Sequence, residues 1–294
     1  MSESPAKTID RIRAAFGTGD AKHRTLHAKG AFYSGTFTAS PRASELSRAG
    51  HLSGAEVPIL VRWSNGGGNP ALPDKAPDVR GMAVKFTLPD GTKTDLLGQT
   101  APRFVVRTPE AFTEFVEAAQ SPVKLPLFLL RHRSALAPLV ANAKAKAIAA
   151  PRSYADPTYY MVHAYKWVSA DERERWVRYV LRPTSPPFDG SFTGKDRLRE
   201  EMAARLAAGP VTFDLEVSVA SATDDPHDPM SVWRPVETFS AGTLTITSTE
   251  PDPETDGGVT VFDPTRVVDG IGLSEDPILL YRPIAYTESV NRRV

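Results

Sequence analysis

Eight short segments with strand character, falling in two groups of four, constrain this chain more than any other feature of it. The first group is "GAFYSGTFTAS" (30–40), "VPILVRWS" (57–64), "RGMAVKFTL" (80–88) and "RFVVRT" (103–108). The second is "YYMVHAYKWVS" (159–169), "RWVRYVLRP" (175–183), "VTFDLEVSVA" (211–220) and "GTLTITST" (242–249). Most alternate apolar with polar residues or are rich in β-branched and aromatic types, with turn residues between them. Helical patterns fill the gaps. Residues 109–120 open with Pro109 and Glu110, a favourable first turn, and residues 140–150 and 194–209 also read as helices. Between them, 121–138 reads as a proline-punctuated crossover. The 26 prolines in 294 residues exceed the usual roughly 5% and favour loops between strands. This pattern predicts an α+β chain: a closed eight-stranded antiparallel β-barrel with a helical crossover and flanking helices. Such a barrel forms a single domain over 1–294 that can hold a ligand.

Composition removes several function classes. Lysine plus arginine and aspartate plus glutamate both number 35, so the basic excess of a nucleic-acid binder is absent. The chain has no cysteine, which excludes disulfides, thiolate metal sites and thiol nucleophiles. No stretch reaches the roughly 18 apolar residues of a membrane span, and the start, "MSESPAKTIDRIRAAF", is amphipathic and lacks the apolar core of a secretory signal. A cytoplasmic protein without nucleic-acid or membrane partners is expected. The six histidines include no HExxH pair, and "SNGGGNP" (64–70) lacks the GK[ST] of a phosphate loop. That glycine run reads as a mobile surface turn. The GxSxG elbow of hydrolases is missing too.

The end of the chain asks a sharper question. "LLYRPIAYTESVNRRV" (279–294) places Arg282 four residues before Tyr286, one helical turn away and on the same face. Further segments precede it: "RTLHAKG" (24–30), "VRWS" (61–64), "DKAPDVRGMAVKF" (74–86), "DLLGQTAPRFVVRTPEAF" (95–112), "VHAYKW" (162–167) and "FDPTRVVDGIG" (262–272). In this order they resemble the haem catalases, from about Arg24 to Arg293. The economy of the chain, with little before His27 and an end just past the tyrosine motif, resembles the small catalase-related peroxidases. No separate C-terminal domain is expected.

The resemblance implies haem b as cofactor, with no bound NADPH, and a role for each matching residue. Tyr286 would bind the iron as a phenolate, helped by the guanidinium of Arg282, since free tyrosine ionises only near pH 10. His27 would be the distal base that moves a proton between the two peroxide oxygens. Ser64 would hold its ring, and Gln99 falls where the family has an asparagine. Arg24, Arg62 and Arg293 would pair with the haem propionates; Phe104 and Phe112 would pack around the haem, and His163 would lie on the proximal side.

Three departures shape the expected activity. Gln99 carries its amide one methylene further out than asparagine, and catalytic geometry is sensitive to about 1 Å. The loop between Ser64 and Asp74, the latter matching an acidic channel residue, is short and implies an open approach. Pro283 lies inside the R-x-x-x-Y turn and predicts a bend or helix start beside Arg282. The leading expectation is a haem peroxidase that reduces hydrogen peroxide or organic hydroperoxides with small organic donors, with weak catalase activity. Its alternatives are a minimal true catalase, a hydroperoxide isomerase of the allene oxide synthase type, and a non-enzymatic haem or lipid carrier. A homodimer is expected in preference to an interwoven tetramer.

Overall fold

The computed structural model describes residues 4–18, 22–255 and 258–293. After helix α1 (Pro5–Ala15), strand β1 (Gly30–Ala39) leads through α2 (Pro41–Leu46) to β2 (Val57–Asn65), β3 (Arg80–Thr87) and β4 (Lys93–Gln99). Each pairs antiparallel with the next. Helices α3 (Pro109–Ala119), α4 (Lys124–Arg131) and α5 (Leu136–Lys144) then cross to a second antiparallel run, β5 (Tyr159–Val168), β6 (Glu174–Pro183), β7 (Val211–Val219) and β8 (Glu237–Glu250). Helix α6 (Arg197–Ala208) lies between β6 and β7. Strand β8 returns to β1, and Gln99 of β4 pairs with Tyr160 of β5. Those two seams close the eight-stranded antiparallel barrel. A short β9 (Ile271–Leu273) adds to β5, and α7 (Pro277–Asn291) follows.

The interior is filled. Tyr33, Phe37, Trp63, Phe86, Trp167 and Phe213 are all fully buried there. Their rings interlock, with Tyr33–Trp63 centroids 4.9 Å apart and Phe37–Phe86 5.2 Å apart. Eight strands enclose a space that side chains can fill or that can hold one small ligand; here these side chains fill it. A second apolar cluster, centred on Phe104, Val105, Val106, Phe128 and Ile278, lies under α3, α4 and α7. Among the described residues, no helix is long and apolar enough to cross a membrane.

Two expectations about elements need correction. Residues 103–108 are not a strand; the fourth strand of the first group is β4, ten residues earlier. Phe104, Val105 and Val106 are apolar because the second cluster buries them. Beside them, the Asn142 side chain takes the place of a neighbouring strand, accepting from Arg103 N–H at 3.1 Å and donating to its carbonyl at 3.0 Å. The helix expected at 140–150 begins earlier, at Leu136, and ends at Lys144. There Lys146 turns to φ 53° and Ala147 is buried.

Candidate active site

A large cavity lies on the outer face of the barrel wall, between β2–β5 on one side and α1, α3 and α7 on the other. Its empty space, mouth included, is about 1490 Å³. Sheet register explains which residues reach it. Gly30, Ser64, Gly81, Gln99 and Tyr160 are successive cross-strand partners along one rung, and directly opposed residues share a face. Trp63 and Met82, one step along, point into the barrel core. Ser64 and Gln99 therefore face outward into the cavity.

His27 sits over this rung. Its Nδ1 is 3.0 Å from Ser64 Oγ. A Cβ on Gly81 would fall 2.7 Å from both Nδ1 and Cε1 of the His27 ring and 3.1 Å from Ser64 Oγ. The bare backbone at Gly81 is what lets the imidazole lie against the strand. The backbone of His27 takes φ 54°, an uncommon conformation for a non-glycine residue. It is fixed from three sides: its N–H donates to Gly66 O at 3.0 Å, Ala28 N–H donates to Gly67 O at 3.1 Å, and Arg62 Nη2 donates to the His27 carbonyl at 2.9 Å. The glycine run 66–68 is thus no mobile surface turn. It is packed against residues 25–28, so closely that a Cβ on Gly68 would meet Thr25 O at 2.5 Å. Burial, then Arg62, Arg282 and Arg24, push the His27 pKa down to about 3, which keeps the imidazole neutral.

The opposite wall is α7. Its start is set by Asp276, whose Oδ1 accepts from Ile278 and Leu279 N–H at 2.8 and 3.4 Å, with Pro277 at the first position. Such a cap satisfies N–H groups that have no partner within the helix. The other carboxylate oxygen of Asp276 accepts from His163 Nδ1 at 2.6 Å, and His163 Nε2 accepts from Arg282 Nη1 at 3.1 Å. These two bonds fix the His163 tautomer and aim the Arg282 guanidinium. A register shift in β5 between Met161 and Tyr165 turns His163 out of the barrel, as bulges re-aim side chains. Arg282 and Tyr286, one turn apart, line the cavity. Burial raises the Tyr286 pKa while Arg282 opposes it. The helix runs unbroken through Pro283, so the expected helix start beside Arg282 is not found; α7 begins at Pro277 because that is where its cap lies. Thr25 joins the two walls, its hydroxyl 3.0 Å from Ser289 Oγ of α7.

Three guanidinium groups converge at one end. Arg24 and Arg293 share the Glu254 carboxylate, at 2.7 and 2.9 Å, and Arg62 stacks over Phe32 at 5.5 Å. The Nε atoms of Arg24 and Arg62 are buried with no hydrogen-bond partner, and burial pushes the Arg62 pKa down to about 9. The remaining lining is largely apolar. Phe104 and Phe112 stack at 5.4 Å, joined by Ile9, Ile12, Leu97, Val162 and Ile278. The Gln99 amide donates to Ala101 O at 3.3 Å.

Of the residues marked in the sequence, His27, Ser64, Gln99, Arg24, Arg62, Phe104, Phe112, Arg282, Tyr286 and Arg293 all line this one cavity. His163 does not; it stands behind Arg282. Asp74 does not either. It is buried, bonded by Lys29, Asn65 and the Leu198 N–H, so it anchors α6 and the strand wall. Other motif residues are also structural: Lys85 and Asp95 form a buried ion pair, which the partly exposed Arg266 joins, binding the loop before β9 to β3 and β4. Sequence reasoning missed Gly81, Asp276, Glu254 and the contribution of α1. Asp276-Pro277, an N-cap followed by proline, was the one available signal.

Fold and site together define a closed eight-stranded antiparallel barrel with an outer cavity faced by a histidine–serine pair on one wall and an arginine–tyrosine pair on the other. The family model for catalase matches residues 8–207, and the chain belongs to the catalase family. It is 46% identical to a catalase-related peroxidase of Mycolicibacterium paratuberculosis, over 99% of this chain and 95% of that protein. It is 28% identical to a catalase-related peroxidase of Synechococcus elongatus, covering 99% and 88%. A fungal catalase crystal structure superposes with a TM-score of 0.79 at 20% identity, over 96% of this chain and 61% of that one, a likeness of fold.

Catalases are haem proteins, and the residues present fit that group. The largely apolar lining carries the Tyr286 phenol, and guanidinium groups whose buried Nε atoms lack partners, those of Arg24 and Arg62, suit carboxylates.

Proposed function

We propose that this protein is a haem b peroxidase that reduces hydrogen peroxide or organic hydroperoxides with small organic donors, and that it has weak catalase activity. The observation that carries the reading is the facing of two walls across one apolar cavity: His27 with Ser64 on one, Tyr286 with Arg282 on the other. Haem iron would supply the electron chemistry that cleaves the peroxide O–O bond. Tyr286 would hold it, and Arg282 would favour the phenolate. Arg24, Arg62 and Arg293 would take the propionates, and Phe104 and Phe112 would pack along the ring.

With Nδ1–H donating to Ser64 Oγ, His27 would present Nε2 as a base. It would take the proton from one peroxide oxygen and return it to the other. Its depressed pKa keeps that nitrogen unprotonated through the neutral range. Gln99 would offer an amide to the peroxide from a longer stem than asparagine's, tethered to Ala101 O; this displacement is the argument for peroxidase over catalase turnover. Relatives named catalase-related peroxidases support the same choice. We read residues 1–294 as one haem-binding unit that includes α7.

The test is reconstitution with haem, followed by absorption spectra before and after a peracid, beside Tyr286→Phe. A high-spin ferric Soret band, lost or moved in the variant, is expected, and donor oxidation should outpace oxygen release. A folded chain that takes up no haem would overturn the reading. Oxygen release outpacing donor oxidation would make it a minimal catalase.

A further inference from the structure

We propose that the outer face of α4 and α5 seats this protein on an anionic lipid surface. Both helices set their inner sides on the second apolar cluster, through Leu125, Phe128 and Leu129 from α4 and Leu139 from α5. Their outer sides therefore look away from the barrel, and they are not polar. Val123, Leu127 and Leu130 follow one another at i, i+4 and i+7, a single stripe of a helix. Leu136 and Val140 are one turn apart on α5, and Ile148 follows. All six are between 47% and 71% exposed.

Charge sets the partner. The whole chain balances 35 basic against 35 acidic residues, yet no aspartate or glutamate occurs from 118 to 155. The same stretch carries Lys124, Arg131, Arg133, Lys144, Lys146 and Arg152. Glu114 of α3 reaches it from a neighbouring helix, 3.8 Å from Arg131 and 3.1 Å from His132. Exposed leucines set among lysines and arginines, with acids excluded, match an interface of acyl chains under anionic headgroups. A second copy is a poor match. In a two-fold dimer the same patch meets itself, and this patch would set its own lysines and arginines against one another. The absence of a membrane span, from which no membrane partner was expected, bears on crossing a bilayer and not on lying upon it. The inference does not rest on the haem reading.

The test is co-sedimentation of the purified full chain with vesicles of phosphatidylcholine containing phosphatidylglycerol, beside pure phosphatidylcholine. Partitioning should be about tenfold or more stronger on the anionic vesicles and fall as salt rises. Leu127→Ser/Leu130→Ser and Lys124→Glu/Arg133→Glu should each reduce it by about tenfold or more, with melting temperature and gel-filtration volume unchanged. No sedimentation with anionic vesicles, or binding by both variants equal to that of the unsubstituted chain, would overturn the proposal. So would a concentration-dependent dimer abolished by Leu127→Ser/Leu130→Ser, which would make a second copy the occupant.

Discussion

Gly81 acts through what it lacks. A single methyl there would press first on the His27 ring and on Ser64 Oγ together. Gly81→Ala should therefore lower peroxidase kcat/KM by about a hundredfold, the scale of a displacement near 1 Å. Haem content should be unchanged and destabilisation should stay within the roughly 1–3 kcal/mol of local overpacking. Steady-state kinetics beside a haem titration separates the two; an equal loss of haem would show that Gly81 supports the pocket and not the imidazole. The same residue marks a limit of reading sequence. "RGMAVKF" is legible as a strand, but a glycine in a strand has several explanations, and only the His27 ring lying on it selects one.

Among the elements, α7 concentrates the most function. Asp276 uses one oxygen to start the helix and the other to hold His163, so its two tasks can be separated. Asp276→Asn keeps a capping oxygen but turns a donor toward His163 Nδ1–H, which forces the other tautomer and places a donor against Arg282. We expect near-native thermal stability with a shifted Soret band. Asp276→Ala should show the same shift and lose a further ~1 kcal/mol for the missing cap. An unshifted spectrum in both would mean that the His163–Arg282 bond does not bear on Tyr286. Segment 103–108 shows the opposite case, in which β character in the sequence reports burial alone. Propensity for strands measures how well a side chain fits a half-buried surface, and Phe104, Val105 and Val106 find one without a partner strand.

Taken whole, the molecule buries neutral histidines in an apolar body, and acid should be its weakness. His51 is packed between Phe37 and Phe86 with its Nδ1 unpartnered, and burial pushes its pKa down to about 4. The unfolded chain, with an ordinary histidine pKa near 6.5, binds more protons between those two values. Stability is therefore full above about pH 6.5 and declines as pH falls toward 4. His27 adds to this decline, from the same upper limit down to about 3. His51→Leu should flatten the slope by up to ~1.4 kcal/mol per pH unit in that window. Urea midpoints at a series of pH values measure it, and an unchanged slope would show that His51 is not protonated on unfolding there.

Seven of the eight strands, the antiparallel closure and the line of motifs from Arg24 to Arg293 were legible in the sequence alone. Alternation with a period of two and a tyrosine one turn from an arginine are local properties of a chain. Tertiary structure alone decided that the cavity lies outside the barrel, because large side chains such as Trp63, Phe86 and Trp167 fill the inside. It also decided that the glycine run 66–68 holds His27, that Asp276 sets Arg282 through His163, and that Asp74 and Lys85 serve the scaffold. Each of these is a contact between residues distant in sequence, made by sheet register and helix docking, and no local pattern encodes it.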